Sequence, residues 1–76
     1  MEIVKYPETG RVYENYKGGK YLILGIALNK KDDSLNVIYK DINFGTLYAK
    51  LLADWDAPVI VDGVTYTRFV LSGNAQ

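Results

Sequence analysis

Apolar and polar residues alternate with a period of two along much of this chain, the signature of strands that bury one face. Arg11 to Tyr16 sets Val12, Glu14 and Tyr16 on one face and Tyr13 and Asn15 on the other. Gly18-Gly19 follows and predicts a two-residue hairpin turn, because glycine accepts the positive φ that tight turns require. Tyr21 to Leu28 is apolar on both faces. That suits a central strand, or one with its inner face in a barrel and its outer face in an interface. Gly25 within it predicts a bulge or sharp bend. Asn29 to Ser34 reads as a polar turn, Leu35 to Tyr39 as a third strand, Asp41 to Asn43 as a turn, and Phe44 to Ala49 as a fourth strand.

Lys50 to Trp55 carries Leu51, Leu52, Ala53 and Trp55, which predicts one short helical turn that Pro58 ends. Val59 to Val61, then Asp62-Gly63, then Val64 to Leu71 form a hairpin with a type I′ signature. Ser72 to Gln76 is polar and expected to fray. Five or six short strands with closely spaced turns predict a mainly all-β domain. The favoured architecture is a small SH3-like, partly open barrel with one short helical turn; an oligonucleotide-binding-type barrel is the alternative. Residues 1–76 read as one domain with its barrel at about 10–71. Phe44, Leu47, Val59, Val61 and Phe69 are the expected core, and Trp55 packs as core or as a lid over a barrel end.

Composition narrows the chemistry. A domain of 76 residues buries only about 60% of the surface its unfolded chain exposes, so small domains usually lean on disulfides, metals or self-association. Cysteine and histidine are both absent, which removes disulfides, thiolate nucleophiles and the usual zinc ligands. A homo-oligomer is therefore expected. The lack of histidine also removes the common general base near neutral pH. Ser34 and Ser72 have no triad-type base nearby in sequence, and neither the phosphate-loop nor the dinucleotide pattern occurs. Asp32-Asp33 and the Asp54/Asp56 pair flanking Trp55 are the remaining acids, and they read as a solvated turn and a helix end. No cofactor and no catalytic residue are expected. Nine basic and nine acidic residues balance, which argues against duplex nucleic acid, whose phosphates normally demand a basic excess. The longest apolar run is too short to span a membrane, and a cytoplasmic location is expected.

Candidate binding residues concentrate between Tyr13 and Tyr21. Tyr13, Tyr16 and Tyr21 can stack on a flat ligand, Lys17 and Lys20 can meet a phosphate or carboxylate, and the Gly18-Gly19 amides can help cradle an anion. The ordinary reading of the same residues is structural: tyrosine is a good strand former, and flanking lysines keep a hairpin edge soluble. Lys50 and Arg68 are further candidates, arginine being suited to bidentate recognition of carboxylate or phosphate. An ion pair from Arg68 to Asp62, Asp54 or Asp56 is its ordinary reading. Trp55 is a candidate pocket wall.

The run Tyr13-Glu14-Asn15-Tyr16-Lys17-Gly18, then Tyr21 to Ala27 with its Leu24-Gly25, resembles a family of short bacterial and phage proteins catalogued as domain of unknown function 1653. That family typically shows Tyr-Arg-His-Tyr-Lys-Gly, then Tyr, then Leu-Gly-x-Ala. Val37-Ile38-Tyr39-Lys40 is similar to its Val-Val-Tyr-Arg strand, and Gly45 to Leu52 to its Gly-Leu-Trp-x-Arg-Pro-Leu with one residue inserted. Val61-Asp62-Gly63 and Arg68-Phe69 match its ending. Asn15 stands where the pattern has histidine, Tyr48 where it has tryptophan, and Lys50-Leu51 where it has arginine-proline. The resemblance implies a compact β-rich domain and no particular activity.

A barrel this small is filled by its own side chains, so a ligand would lie in a surface groove or between subunits. These readings converge on a non-catalytic protein holding a small anionic, nucleotide-like ligand, in a phage setting a sponge for a nucleotide signal. An SH3-like protein or peptide interaction module and a single-stranded nucleic-acid binder are the alternatives.

Overall fold

The computed structural model describes residues 6–74. Seven strands and one helical turn follow one another there: β1 (Arg11–Asn15), β2 (Lys20–Asn29), β3 (Ser34–Asp41), β4 (Leu47–Leu51), α1 (Leu52–Trp55), β5 (Val59–Val61), β6 (Val64–Tyr66) and β7 (Phe69–Asn74). Five strands make one antiparallel sheet in the order β4-β3-β2-β1-β7, and β5 and β6 pair only with each other. The all-β class holds. The two edge strands β4 and β7 do not pair, so the sheet stays open, and seven strands replace the five or six expected.

Local chemistry explains where the elements begin and end. β1 stops at Asn15 because its side-chain oxygen accepts from the Lys17 amide at 2.9 Å, while its carbonyl accepts from the Gly18 amide at 2.7 Å. Asn15 N–H then donates to the Gly19 carbonyl at 2.7 Å, closing the hairpin. The turn therefore covers residues 16–19 and is not centred on Gly18-Gly19 as the sequence suggests. Gly18 takes φ +99°, and the space beside Gly19 is filled by the Tyr21 phenol, 2.9 Å from where a β-carbon would stand. β2 is bulged between Ile23 and Gly25 against β3, at the glycine the sequence marks. Asp62 (φ 50°) and Gly63 (φ 79°) both take positive φ, as a type I′ turn demands.

Three boundaries depart from expectation. Asp41 Oδ1 accepts from the Asn43 and Phe44 amides at 2.8 and 3.0 Å, which holds Phe44 in a turn and delays β4 to Leu47. Leu51 belongs to β4, so the helical turn spans only Leu52–Trp55. The expected strand Val64 to Leu71 breaks at Thr67-Arg68, where the chain leaves the small sheet for the large one. At the other end β7 runs through Asn74 against Arg11 and is not a frayed tail from Ser72; residues 75 and 76 lie outside the described residues.

The core is small and aromatic. Ile23, Val37, Tyr39, Leu52, Trp55 and Phe69 are buried, with Tyr13, Tyr21 and Ile26 packed against them. Trp55 and Phe69 stack nearly parallel (2°) with centroids 3.8 Å apart, and Tyr39 meets both edge-on at 5.2 and 5.7 Å. Of the expected core, only Phe69 is buried; Val59 is half-buried. Phe44 is 84% exposed, Leu47 61% and Val61 40%. Leu47 pairs with Lys40, one position from the inward Tyr39–Tyr48 pair, so the pleat turns it outward.

Register gathers a second apolar surface on the outer side of the large sheet. Leu22, Lys40 and Leu47 form one cross-strand row, Gly25, Ile38 and Ala49 the next, and Ala27, Asn36 and Leu51 a third. Leu24 sits in the bulge beside them. Leu24, Leu47 and Leu51 are all exposed.

Gly18→Ala is expected to destabilise the protein by about 1–2 kcal/mol, because a β-carbon strains the left-handed conformation. Thermal denaturation should show the melting temperature falling by roughly 4–8 °C per kcal/mol for a domain of this size.

Candidate functional site

Five of the residues singled out in the sequence meet at one end of the open sheet. Tyr16, Lys17, Tyr21, Lys50 and Arg68 join Asn15, Tyr39, Tyr48 and Phe69 around a cavity of about 240 Å³. Each side chain has an identifiable support. The β1–β2 turn presents Tyr16 and Lys17, with the Lys17 ammonium 5.7 Å from the Tyr16 ring centroid. Lys50 pairs with Val37, whose side chain is fully buried, so the pleat carries Lys50 to the inner side of β4. Arg68 lies in the bend before β7, where its Nε donates to the Ala57 carbonyl at 3.3 Å. That contact ties it to the segment after α1, in place of the ion pair to Asp54, Asp56 or Asp62 that the sequence suggests.

The wall is a set of interlocked phenols. Tyr39 and Tyr48 stack at 5.3 Å, and Tyr21 meets Tyr39, Tyr48 and Phe69 edge-on at 5.2, 5.9 and 6.0 Å. No carboxylate lines the cavity, while Lys17, Lys50 and Arg68 supply three cations. Burial is the main cause that raises the Tyr21 and Tyr39 hydroxyls above the ordinary phenol range; the Asp41 charge and Tyr48 add to it at Tyr21, while at Tyr39 the phenols of Tyr21 and Tyr48 add to it and Arg68 opposes it. Both rings therefore stay neutral hydrogen-bond donors near neutral pH and do not compete with an anion for the cations.

The remaining candidates fall elsewhere. Tyr13 and Trp55 contact each other edge-on at 5.7 Å; Trp55 is a buried core residue that, with Tyr13, also lines a separate hollow beside Pro7 and Leu71. The Tyr13 hydroxyl accepts from the Glu8 amide at 3.1 Å. Lys20 pairs with Glu14 on the outer face. The Gly18 amide is engaged inside the turn with Asn15 and does not point at an anion. Sequence reasoning missed Asn15, Tyr39, Tyr48 and Phe69 as lining residues. Their signal was the strand register: Tyr39 and Tyr48 are direct cross-strand partners, and Phe69 is the partner of Asn15.

The acidic candidates do not assemble. Asp32 is held below the usual carboxylate range by its hydrogen bonds with Ser34, the amide of which donates to Asp32 Oδ1 at 3.0 Å, an ordinary turn arrangement. Among the described residues no group of three or more acidic side chains converges in a way that would hold a metal ion. No helix among them is long and apolar enough to cross a membrane.

Fold and site together define a small open β domain with a cationic, tyrosine-walled cavity at one end. The chain belongs to the family described as protein of unknown function (DUF1653), whose profile matches residues 11–71. It is similar to the crystal structure of a DUF1653 protein from Bordetella bronchiseptica, with a TM-score of 0.80, 27% sequence identity and 97% coverage of both chains. A comparison with curated proteins gives no match.

The raised phenols have a stability consequence with a definite sign. A group whose folded pKa lies above its unfolded value stabilises fully below the unfolded value, and that contribution is lost as pH rises through the folded one. Stability should hold up to the ordinary phenol value of 10.0 and fall above it. Melting curves between pH 8 and 11 are expected to show a shallower alkaline fall for Tyr39→Phe than for the unmodified chain.

Proposed function

We propose that this protein is a non-catalytic binding protein that holds a small anionic, nucleotide-like ligand in the cavity between the β1–β2 turn, β3, β4 and Arg68. One observation carries this reading: three cations and no carboxylate line a concave site walled by four tyrosines. Three like charges around one hollow repel each other, and an anion relieves that repulsion while accepting their hydrogen bonds. The tyrosine walls lower the local dielectric on their side of the hollow and so strengthen each polar contact there. The cavity sits at the surface, at one end of the open sheet. A role as a sponge for a nucleotide signal is the biological form of this reading.

Scanning fluorimetry with a panel of nucleotides and cyclic nucleotides tests it. A ligand at about 100 times its Kd stabilises by roughly 2.7 kcal/mol, a readily visible shift in melting temperature. Lys17→Gln and Lys50→Gln should lose most of that shift while keeping the fold. Absence of any shift across the panel, or equal shifts in both variants, sinks the reading. A proline-rich peptide that binds while every nucleotide fails would favour the peptide-module alternative instead.

We also propose that the outer apolar face of β2, β3 and β4 docks a second copy of this chain. Among the described residues six hydrophobics are buried in the core, against fifteen large hydrophobics left exposed. Lys40 is the sole charged residue in the three rows that carry Leu22, Ile38, Leu47, Ala49 and Leu51, so two copies meet there without opposed like charges beyond that one position. β4 is an edge strand, and edge backbone groups add hydrogen bonds to such contacts. Light scattering after size exclusion should give a dimer that Leu24→Glu and Ile38→Glu convert to monomer. A monomeric wild-type chain at high micromolar concentration would overturn this.

A further inference from the structure

The cationic cavity has a neighbour. A cleft of about 530 Å³ opens beside it, lined by Glu14, Asn15, Tyr16, Thr65, Tyr66, Thr67, Val70, Leu71 and Ser72. The two hollows share Asn15 and Tyr16 as a common ridge. On that ridge Tyr16 stacks against Tyr66 of the small sheet, with centroids 6.0 Å apart and planes 28° from parallel.

We infer that the two hollows form one bipartite site for a nucleoside monophosphate, its phosphate among Lys17, Lys50 and Arg68 and its base in the second cleft beside Tyr16 and Tyr66. This rests on the anion-binding reading of the cavity and adds where the uncharged half of the ligand goes. Size decides the first point. A cavity of about 240 Å³ is below the roughly 300–1,000 Å³ of ordinary ligand pockets; it suits a phosphate and little more. The cleft supplies the missing room.

Charge decides the orientation. The charged groups that line the cavity are all cations, whereas Glu14, the cross-strand partner of Lys20, lines the cleft, where its carboxylate disfavours a phosphate and accepts from the ring N–H or amino group of a base. Thr65, Thr67 and Ser72 add hydroxyls that both donate and accept. A neutral aromatic ring therefore belongs at the cleft end and the phosphate at the other. Aromatic geometry decides the third point. Stacked rings sit on either face of a base or beside each other, and base–aromatic stacking tolerates any base. The paired tyrosines offer such a platform at the junction between the two halves. Tyr66 reaches it because the type I′ turn at Asp62-Gly63 folds β6 back on β5.

Isothermal titration with inorganic phosphate, ribose phosphate, adenosine monophosphate and guanosine monophosphate tests the inference. The nucleotides should bind about tenfold or more tightly than ribose phosphate, the advantage that one stacked base confers. Tyr66→Ala should bring the nucleotides down to the affinity of ribose phosphate and leave that of phosphate unchanged; Tyr66→Phe should keep the full advantage. Circular dichroism and an unchanged phosphate affinity report that Tyr66→Ala is folded. If nucleotides bind no better than ribose phosphate, or if Tyr66→Ala leaves the advantage intact, the bipartite site is overturned while the anion cavity stands. If phosphate and ribose phosphate fail to bind as well, and Lys50→Gln changes nothing, the cavity reading falls with it.

Discussion

Everything in this domain hangs on the stack of Trp55 on Phe69. The rings lie 3.8 Å apart and nearly parallel, and they join parts of the chain that no strand pairing connects. Trp55 closes the helical turn after β4, at one edge of the large sheet; Phe69 opens β7, at the other. With β4 and β7 not paired to each other, this contact and the Tyr39 edge-on contacts to both rings draw the two edges toward one core. Aromatic side chains bury the most area per residue. With six buried hydrophobics among the described residues, stabilisation concentrates there.

The same rings make the site. Phe69, Tyr39 and Tyr21 turn one side to the core and one to the cavity, so the wall of the pocket is the end of the core rather than a separate device. That sharing fixes the cavity rigidly, because a ring held by several edge-on neighbours loses its alternatives. It also explains why the cations come from the rim. Lys17 stands on a turn, Lys50 on an edge strand and Arg68 in a bend, places where a charged head stays near water while its stem packs on phenol rings.

How much of this the residues themselves disclose depends on distance along the chain. The strands, the bulge at Gly25 and the type I′ turn at Asp62-Gly63 were legible because each is local chemistry. Tyr16, Lys17, Tyr21, Lys50 and Arg68 stood out by residue type alone, and the structure brings them around one cavity. Their meeting was not legible, since it depends on β3–β4 register placing Tyr39 beside Tyr48 and on the chain changing sheets at Arg68. Phe44 and Leu47 misled for a related reason. Alternation says that one face is apolar but not which face is inward, and the Asp41 hydrogen bonds shift the start of β4 to Leu47. Trp55 read correctly as core, because a lone tryptophan at a helix end has little else to do than pack.

The two-faced apolar strand β2 unites these points. A strand apolar on both sides needs cover on both, and the domain covers only the inner one, with Ile23 buried and Leu24 exposed next to it. The bulge between Ile23 and Gly25 bends the strand where that change occurs, so the inner face closes on the aromatic core while the outer face flares open. The cavity lies on the inner side of the sheet and the bare apolar face on the outer side. The cavity and the bare apolar face thus occupy opposite surfaces of the same three strands, and neither takes residues from the other. A small chain with no cysteine and no metal-holding cluster among its described residues thus leaves one face of its central strand uncovered and its charged hollow open to solvent on the other.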